Sequence, residues 1–165
     1  MSKTVIFIDQ PDEIQSIKTE ILNSSETMIY SFDIRTHYFL NEKKISHYIG
    51  ERILDKTDQY KIFDTTVKLW NWFKQKNEFS NKKIYEINLL GMLDTAEFHN
   101  FLIKEIYHFM TMLKILKNEN PKKIFVNSHF ASALRKKCNE KNIEIIQLSG
   151  TKHDFTISWD SLPVE

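Results

Sequence analysis

The chain has 165 residues, of which 41% are hydrophobic and 27% charged, and its formal net charge is +1. This composition is typical of a folded globular protein, and a charge so near zero excludes strong attraction to nucleic acid or to a membrane surface. The single cysteine excludes an internal disulfide and a cysteine metal cluster, which suits a reducing cytosol. No apolar run approaches the roughly 18 residues of a membrane span, so we expect one cytoplasmic domain over residues 1–165.

The sequence contains three glycines, Gly50, Gly91 and Gly150. No two lie near enough to form a glycine-rich phosphate loop, so the P-loop and the G-x-G-x-x-G fingerprint are both absent. Their absence argues against an ATPase, a kinase and a standard dinucleotide enzyme, and we expect no cofactor. The histidines show neither the H-x-x-x-H nor the H-E-x-x-H spacing, so no metal site is predicted.

The first half of the chain alternates short apolar runs with amphipathic segments, which predicts strands alternating with helices. Thr4–Asp9 and Thr27–Asp33 are interpreted as buried strands, each ending in a carboxylate. Pro11 and the acidic pair after it suit the start of a first helix, whose inward stripe is formed by Ile14, Ile17, Ile21 and Leu22. Arg35–Lys44 predicts a short second helix, and Ile45–Ile49 a short third strand.

Two longer helices are predicted in the middle of the chain. The first covers Asp55–Phe79, and its apolar stripe is expected to face the core. That stripe is formed by Phe63, Val67 and Trp70 and is widened by Ile62, Leu69 and Phe73. Trp72 falls on the flank and is expected to be exposed. Lys83–Leu93 fits an irregular segment or a short helix equally. The D-x-x-E pattern of Asp94–Glu97 then opens a long helix that ends near Asn118.

The stretch Pro121–Ser149 has the pattern strand, helix, strand. Lys123–Val126 and Ile143–Leu148 are the strands, and an Asn-Ser pair caps the helix between them. Strands joined through a helix lie parallel, so the pattern predicts an α/β, Rossmann-like fold. We expect a doubly wound, mainly parallel sheet of about five strands in the order 3-2-1-4-5, flanked by helices. Phe155–Trp159 is expected to be a short strand at an antiparallel or mixed edge, or an ordered tail.

The candidate site residues lie where the predicted strands end. In an open parallel sheet, ligands bind beyond the carboxyl ends of the strands, at the point where the strand order reverses. The catalytic candidates are Asp33 and His37, because a carboxylate or a neutral imidazole can accept a proton. The ligand-binding candidates are Asp9, Arg35, Ser128, His129, Thr151, Lys152 and His153. The remaining histidines, His47, His99 and His108, fall inside predicted elements and are interpreted as structural.

A competing interpretation is that these residues are ordinary helix caps and loop side chains. In favour of a site, backbone N–H groups at two helix starts attract an anionic or hydroxyl-rich group, and Arg35 and Lys152 add positive charge. Ser128 lacks the G-x-S-x-G context of a nucleophile, so a capping role is expected for it. The lysine-rich stretch around Arg135 is interpreted as a solvated helix face rather than as a nucleic-acid site.

Several spaced motifs resemble a known family pattern. Asp33-x-x-Thr36-x-x-x-Leu40 leads to Ile45-x-His47, and a helix follows that ends in Leu69-Trp70-x-Trp72-Phe73. Leu89-Leu90-Gly91 before a long helix, and Pro121 before a strand, continue the pattern. Over Asp33–Leu148 the chain is similar to the N-terminal domain of bacterial and archaeal surface-polysaccharide glycosyltransferases of the two-Rossmann (GT-B) type.

The resemblance implies one lobe of a two-lobed clamp. In such enzymes the N-terminal lobe binds the acceptor, and a C-terminal lobe binds the nucleotide sugar and holds most donor contacts. The expected function is therefore an acceptor-binding lobe in cell-surface polysaccharide biosynthesis that is inactive alone. Its partners would be a sugar or phosphorylated small molecule and a C-terminal donor-binding domain. In a complete enzyme, Asp33 or His37 would deprotonate a sugar hydroxyl.

Two other functions fit the sequence. One is a stand-alone Rossmann-like module that binds a nucleotide or a phosphorylated metabolite at the same edge. The other is a protein-interaction domain that docks a partner through Trp72 or through the C-terminal tail.

Overall fold

The structure is a computed structural model that describes residues 3–75, 83–84, 87–88 and 95–149. The chain divides into two compact units. The first combines Met1–Ile53 with Thr111–Glu165, and the second is Leu54–Met110. The single domain expected from the sequence stays a prediction beside this division.

The first unit is built on a five-stranded parallel sheet. The strands of the described residues, in chain order, are β1 (Thr4–Ile8), β2 (Thr27–Ser31), β3 (Tyr48–Ile49), β4 (Lys83–Ile84), β5 (Ile87–Asn88), β6 (Lys123–Asn127) and β7 (Glu144–Leu148). The sheet has the order β3-β2-β1-β6-β7, and all of its neighbouring strands are parallel. Counted along the chain, this is the predicted order 3-2-1-4-5, and the Rossmann-like α/β fold is confirmed.

Five α-helices are described: α1 (Thr19–Leu22), α2 (Ile34–Glu42), α3 (Lys56–Gln75), α4 (Thr95–Glu119) and α5 (Ser128–Glu140). Two 3-10 segments cover Pro11–Ser16 and Gly50–Ile53. The predicted first helix is thus a 3-10 segment followed by one short α-helical turn. It is interrupted because Ile17 and Lys18 both adopt extended backbone angles. No helix of the described residues is both long and apolar enough to cross a lipid bilayer.

The parallel sheet of the first unit is buried on both faces. One face carries Ile6, Ile8, Ile29, Phe125 and Leu148, and the helical layer over it contributes Ile14, Ile17 and Leu40. The other face carries the fully buried side chains of Val5, Phe7, Ile124 and Val126. Helix α5 packs against β6 and β7, and its buried stripe is Phe130, Ala131, Leu134 and Cys138. Helices on both faces explain why the strands are apolar throughout rather than alternating.

The second unit has its own apolar cluster, formed by α3 and the first turns of α4. Its buried members are Leu54, Ile62, Leu102 and Ile106. The core face of α3 therefore differs from the predicted stripe: Phe63 is 57% exposed, whereas its neighbour Ile62 is 3% exposed. Thr66, one turn after Ile62, is fully buried, and its hydroxyl donates to the Ile62 carbonyl at 2.8 Å. The expectation that Phe63 faces the core was wrong.

Several predictions fall outside the described part of the chain. These concern the side chains of Trp70, Trp72 and Phe73, the cap at Asp94 and the segment Phe155–Trp159. Within Lys83–Leu93, where the sequence fitted an irregular segment or a short helix equally, strands β4 and β5 form an antiparallel pair instead.

Candidate functional site

The strand order reverses between β1 and β6, and the two strands separate toward their carboxyl ends. Their paired residues run from Thr4 opposite Lys123 to Ile6 opposite Phe125, although both strands continue for two more residues. A parallel sheet offers a crevice at such a reversal point. We call this place the β1–β6 crevice, and the rim formed by the strand ends the carboxyl edge.

Glu13 joins the two strand ends at the crevice. One oxygen, Oε2, accepts from the Asp9 N–H at 2.8 Å and from the Gln10 N–H at 3.3 Å. The other oxygen, Oε1, accepts from Asn127 Nδ2 at 3.3 Å. Asn127 also caps α5, because its Oδ1 accepts from the Phe130 N–H at 3.0 Å. The carboxylate thus fixes the loop after β1 to the end of β6.

The environment of Glu13 makes its carboxyl group unusual. The residue is 2% exposed, and burial is the main reason that its pKa rises from 4.5 to about 7. The backbone N–H groups of Asp9 and Gln10 and the Asn127 amide oppose the rise, whereas the charge of Asp9 adds to it. A carboxyl group whose pKa is raised so far is a recurrent feature of functional sites.

Asp33 and Arg35 lie at the start of α2, on the other side of Asp9. The Asp33 carboxylate caps α2 by accepting from the Arg35 N–H at 2.8 Å, and it binds Arg35 Nε at 3.0 Å. The pKa of Arg35 is raised, first by the hydrogen bond and charge of Asp33, and to a smaller extent by the charge of Asp9. Thr36, fully buried, donates its hydroxyl to the Asp9 carbonyl at 2.9 Å. That bond ties α2 to the end of β1.

His37 is engaged on both ring nitrogens. His47 Nδ1 lies 2.8 Å from the Ile45 carbonyl and must donate to it, so in the neutral ring His47 Nε2 is an acceptor. His37 Nδ1, 2.8 Å from His47 Nε2, then carries the proton, and His37 Nε2 accepts from Asn41 Nδ2 at 3.1 Å. Because strand β3 begins only at Tyr48, His47 lies in the loop before it rather than inside a strand. Because both ring nitrogens of His37 are engaged, the geometry favours Asp33 over His37 as a proton acceptor for a ligand.

Of the other residues predicted to bind a ligand, the structure describes Asp9, Ser128 and His129. Ser128 is exposed at the first position of α5, and the half-buried His129 ring meets Phe130 edge to face at 4.9 Å. Asp9 is buried at the end of β1. Thr151, Lys152 and His153 lie outside the described residues.

The site therefore has a buried frame and an accessible rim. The frame consists of Asp9, Glu13, Thr36 and Asn127, and the rim consists of Asp33, Arg35, Ser128 and His129. Within the described residues, no group of three histidine, cysteine or carboxylate side chains could hold a metal ion. The Cys138 thiol is fully buried, and burial raises its pKa to about 11. It is thus the inert, buried side chain that its place on the apolar stripe of α5 predicts.

Sequence reasoning missed three members of this site, namely Glu13, Thr36 and Asn127. Glu13 was assigned to the charge of a helix start, Thr36 only to the family pattern, and Asn127 to a helix cap. A carboxylate four residues after a buried strand-end aspartate was the signal that could have pointed to Glu13. No family model, no curated protein and no solved structure matched the chain.

Proposed function

We propose that this chain is the N-terminal, acceptor-binding lobe of a glycosyltransferase-like protein of cell-surface polysaccharide biosynthesis, acting in the cytoplasm. The observation that carries the proposal is the partly exposed Asp33 carboxylate, held by Arg35 and by the first turn of α2. Thr36 of the same turn is bonded to the end of β1, beside the β1–β6 crevice. The resemblance over Asp33–Leu148 supplies the class of enzyme.

The charges at this edge favour a hydroxyl-rich ligand over a phosphorylated one. Three carboxyl groups, those of Asp9, Glu13 and Asp33, lie around the crevice, and Arg35 is already paired with Asp33. Such a group of carboxylates repels a phosphate group. A sugar supplies hydroxyl donors for the Asp33 carboxylate, and it can accept from the terminal nitrogens of Arg35, which bond no other described residue.

In the complete enzyme, Asp33 is the group placed to take a proton from the acceptor hydroxyl. Its side chain is 20% exposed, so a bound sugar can reach it, whereas the buried Glu13 has both oxygens occupied by the frame. Glu13 and Asn127 then act as positioning residues that fix the loop after β1 to the end of β6.

The chain alone is expected to transfer no sugar. Catalysis of group transfer depends on holding donor and acceptor together, and that proximity contributes about 7–11 kcal/mol in favourable cases. One lobe offers only the acceptor half. Purified protein should show no donor-dependent glycosyl transfer, and detection of such transfer would refute this part of the proposal. A coding sequence that continues past Glu165 into a second α/β lobe would support it.

The direct test is ligand binding followed by amide chemical shifts. Neutral oligosaccharides at millimolar concentration should shift the amides of the rim, namely Asp33, Arg35, Ser128 and His129, while inorganic phosphate and uridine diphosphate leave them unchanged. Asp33→Asn keeps a capping side chain at α2 and should weaken saccharide binding at least tenfold. The matched control is Asp64→Asn, on the solvent face of α3.

The alternatives give different results in the same experiment. Shifts caused by phosphate or by the nucleotide alone would indicate the stand-alone nucleotide or metabolite module instead. No shift at the rim with any of these small molecules would contradict a ligand site at this edge.

A further inference from the structure

His37 and His47 connect helix α2 to the loop that precedes strand β3. His37 Nδ1 lies 2.8 Å from His47 Nε2, and the two rings meet edge to face with their centres 4.9 Å apart. Among the described residues, β3 pairs with β2 alone, and over two residues. The imidazole pair therefore adds a side-chain link beside a strand that has few backbone hydrogen bonds.

The three hydrogen bonds of the neutral pair run in one direction. The Ile45 carbonyl can only accept, so His47 Nδ1 carries a proton and His47 Nε2 is an acceptor. His37 Nδ1 donates to that nitrogen, and Asn41 Nδ2 donates to His37 Nε2. We call His37 Nδ1 and His47 Nε2 the inner nitrogens. The bond between them contains one proton.

A first added proton keeps the two rings together. It enters at His37 Nε2, and the exposed Asn41 side chain turns its amide so that Oδ1 accepts from this nitrogen. His37 Nδ1 continues to donate to His47 Nε2. Because the donor is now an imidazolium, this bond is charge-assisted and stronger than the neutral one.

A second added proton has no place in the closed pair. It has to enter at His47 Nε2, so both inner nitrogens would carry N–H groups that point at each other across 2.8 Å. Two positive rings would also lie with their centres 4.9 Å apart, and a like charge so near disfavours the charged form. The rings therefore separate before the pair holds two added protons.

The charged groups around the pair do not remove this conflict. The hydrogen-bond partners of the rings in the described structure are uncharged: the opposite ring, Asn41 and the Ile45 carbonyl. The charged side chains on the surrounding elements are those of Asp12 and Glu13 in the 3-10 segment that packs on α2, of Asp33, Arg35, Glu42 and Lys43 on α2 and at its caps, of Lys44, and of Glu51 and Arg52 after β3. The carboxylates in this set favour proton uptake by either ring. Within the described residues, however, the inner nitrogens bond only each other.

We propose that His37 and His47 form a pH-sensitive latch, which stays closed with one added proton and opens with two, releasing the loop before β3 from α2. Histidine changes charge between about pH 5 and pH 8, so the latch responds to acidification. The Ile45 N–H donates to the Leu40 carbonyl at 2.9 Å without involving either ring. The opening therefore begins after Ile45, and β3 is then held by its contacts with β2 alone among the described strands.

The test is an NMR titration of the full-length chain from about pH 8 to about pH 4.5. At the start, nitrogen-15 shifts should show a proton on Nδ1 of both rings and on Nε2 of neither. The nuclear Overhauser effect between the two rings should persist when one proton has been added and disappear when the second is added. The amides of Val5 and Val126 in the sheet should stay unchanged through both steps, because the opening is local.

His47→Gln distinguishes a latch from a contact that is only structural. The glutamine carbonyl oxygen can accept from His37 Nδ1, but it takes up no proton in this range of pH. The Ser46 and Tyr48 amides of this variant should therefore keep their neutral-pH shifts where the unaltered chain is open. His99→Gln, on α4 in the second unit, is the matched control. It removes a histidine elsewhere and should leave the acid-induced opening unchanged.

Several results would overturn the proposal. A proton on Nε2 of either ring at neutral pH would contradict the direction of the hydrogen bonds. Ring contact that is lost with the first proton, or that survives the second, would show that the pair is no latch, and so would unfolding of the whole sheet at the second step. Acid-induced opening in His47→Gln equal to that of the unaltered chain would show that other groups cause it. If this variant is already open at neutral pH, the ring contact in the unaltered chain decides. None of these results depends on saccharide binding, so failure here leaves the proposed function standing.

Discussion

At the scale of single residues, the place of Glu13 between β1 and β6 determines the pKa of its carboxyl group. It is buried at the crevice, and it accepts hydrogen bonds from two backbone N–H groups and from Asn127. These donors favour the ionised form, yet burial outweighs them and leaves the pKa at about 7. The residue therefore changes charge near neutral pH while it holds β1 and β6 together.

This pKa makes folding stability depend on pH with a defined sign. The carboxyl group binds its proton more tightly in the folded chain, so its contribution is fully present below pH 4.5 and is lost as the pH rises through about 7. The loss is on the order of 3 kcal/mol. We expect the free energy of unfolding in urea to fall between pH 5 and pH 8, and Glu13→Gln to flatten this decline. The exposed Glu20→Gln is the matched control and should leave the decline unchanged.

A direct measurement follows the Glu13 carboxyl carbon by NMR. Its titration midpoint should lie near pH 7, well above that of exposed glutamates. A midpoint near the ordinary value of 4.5 would contradict the role of burial described here.

At the scale of elements, the core face of helix α3 is centred on Ile62 and not on Phe63. Ile62→Ala should lower the free energy of unfolding by about 2–4 kcal/mol, because it leaves a cavity in the second unit. Phe63→Ala, which truncates an exposed ring, should cost less than about 1 kcal/mol. Urea denaturation of the two variants measures both. The reverse ranking would restore the stripe expected from the sequence and refute the observed one.

Helices α2 and α5 end in the same way but with different residues at the critical position. In each, one residue has positive φ, 56° at Lys44 and 53° at Asn142. The next N–H, that of Ile45 or Ile143, returns to a carbonyl one turn earlier, at 2.9 Å in both helices. This Schellman arrangement favours glycine, tolerates asparagine, and disfavours a residue such as lysine.

Lys44→Gly is therefore expected to stabilise the chain, by about 0.5–1 kcal/mol, because glycine relieves the positive φ. Asn142→Gly is the matched control at α5 and should gain only a few tenths of a kcal/mol, since asparagine already adopts this conformation. Thermal unfolding of the two variants compares them. An equal gain at both positions would mean that the lysine is not strained.

At the scale of the whole molecule, the sheet was predictable from the sequence. The chemistry of its carboxyl edge was predictable only in part. Buried parallel strands are continuous apolar runs, so Thr4–Ile8 and Lys123–Asn127 stand out, and parallel crossovers limit the possible orders. The frame was not predictable, because Glu13 and Asn127 are 114 positions apart in sequence. The face of α3 was misassigned because adjacent apolar residues define two overlapping stripes, and only packing selects one.

The position of β1 between β2 and β6 has a consequence for synthesis of the chain. β1 can pair with β2 once about thirty residues have been made, but its other partner, β6, begins only at Lys123. A nascent chain therefore carries the open side of β1 until the strand that begins at Lys123 has been translated. Contacts so distant in sequence slow folding, since a long loop must close before they form. The half-sheet β1–β2 therefore keeps one unpaired strand edge, which is prone to aggregation, until β6 is made and pairs with β1.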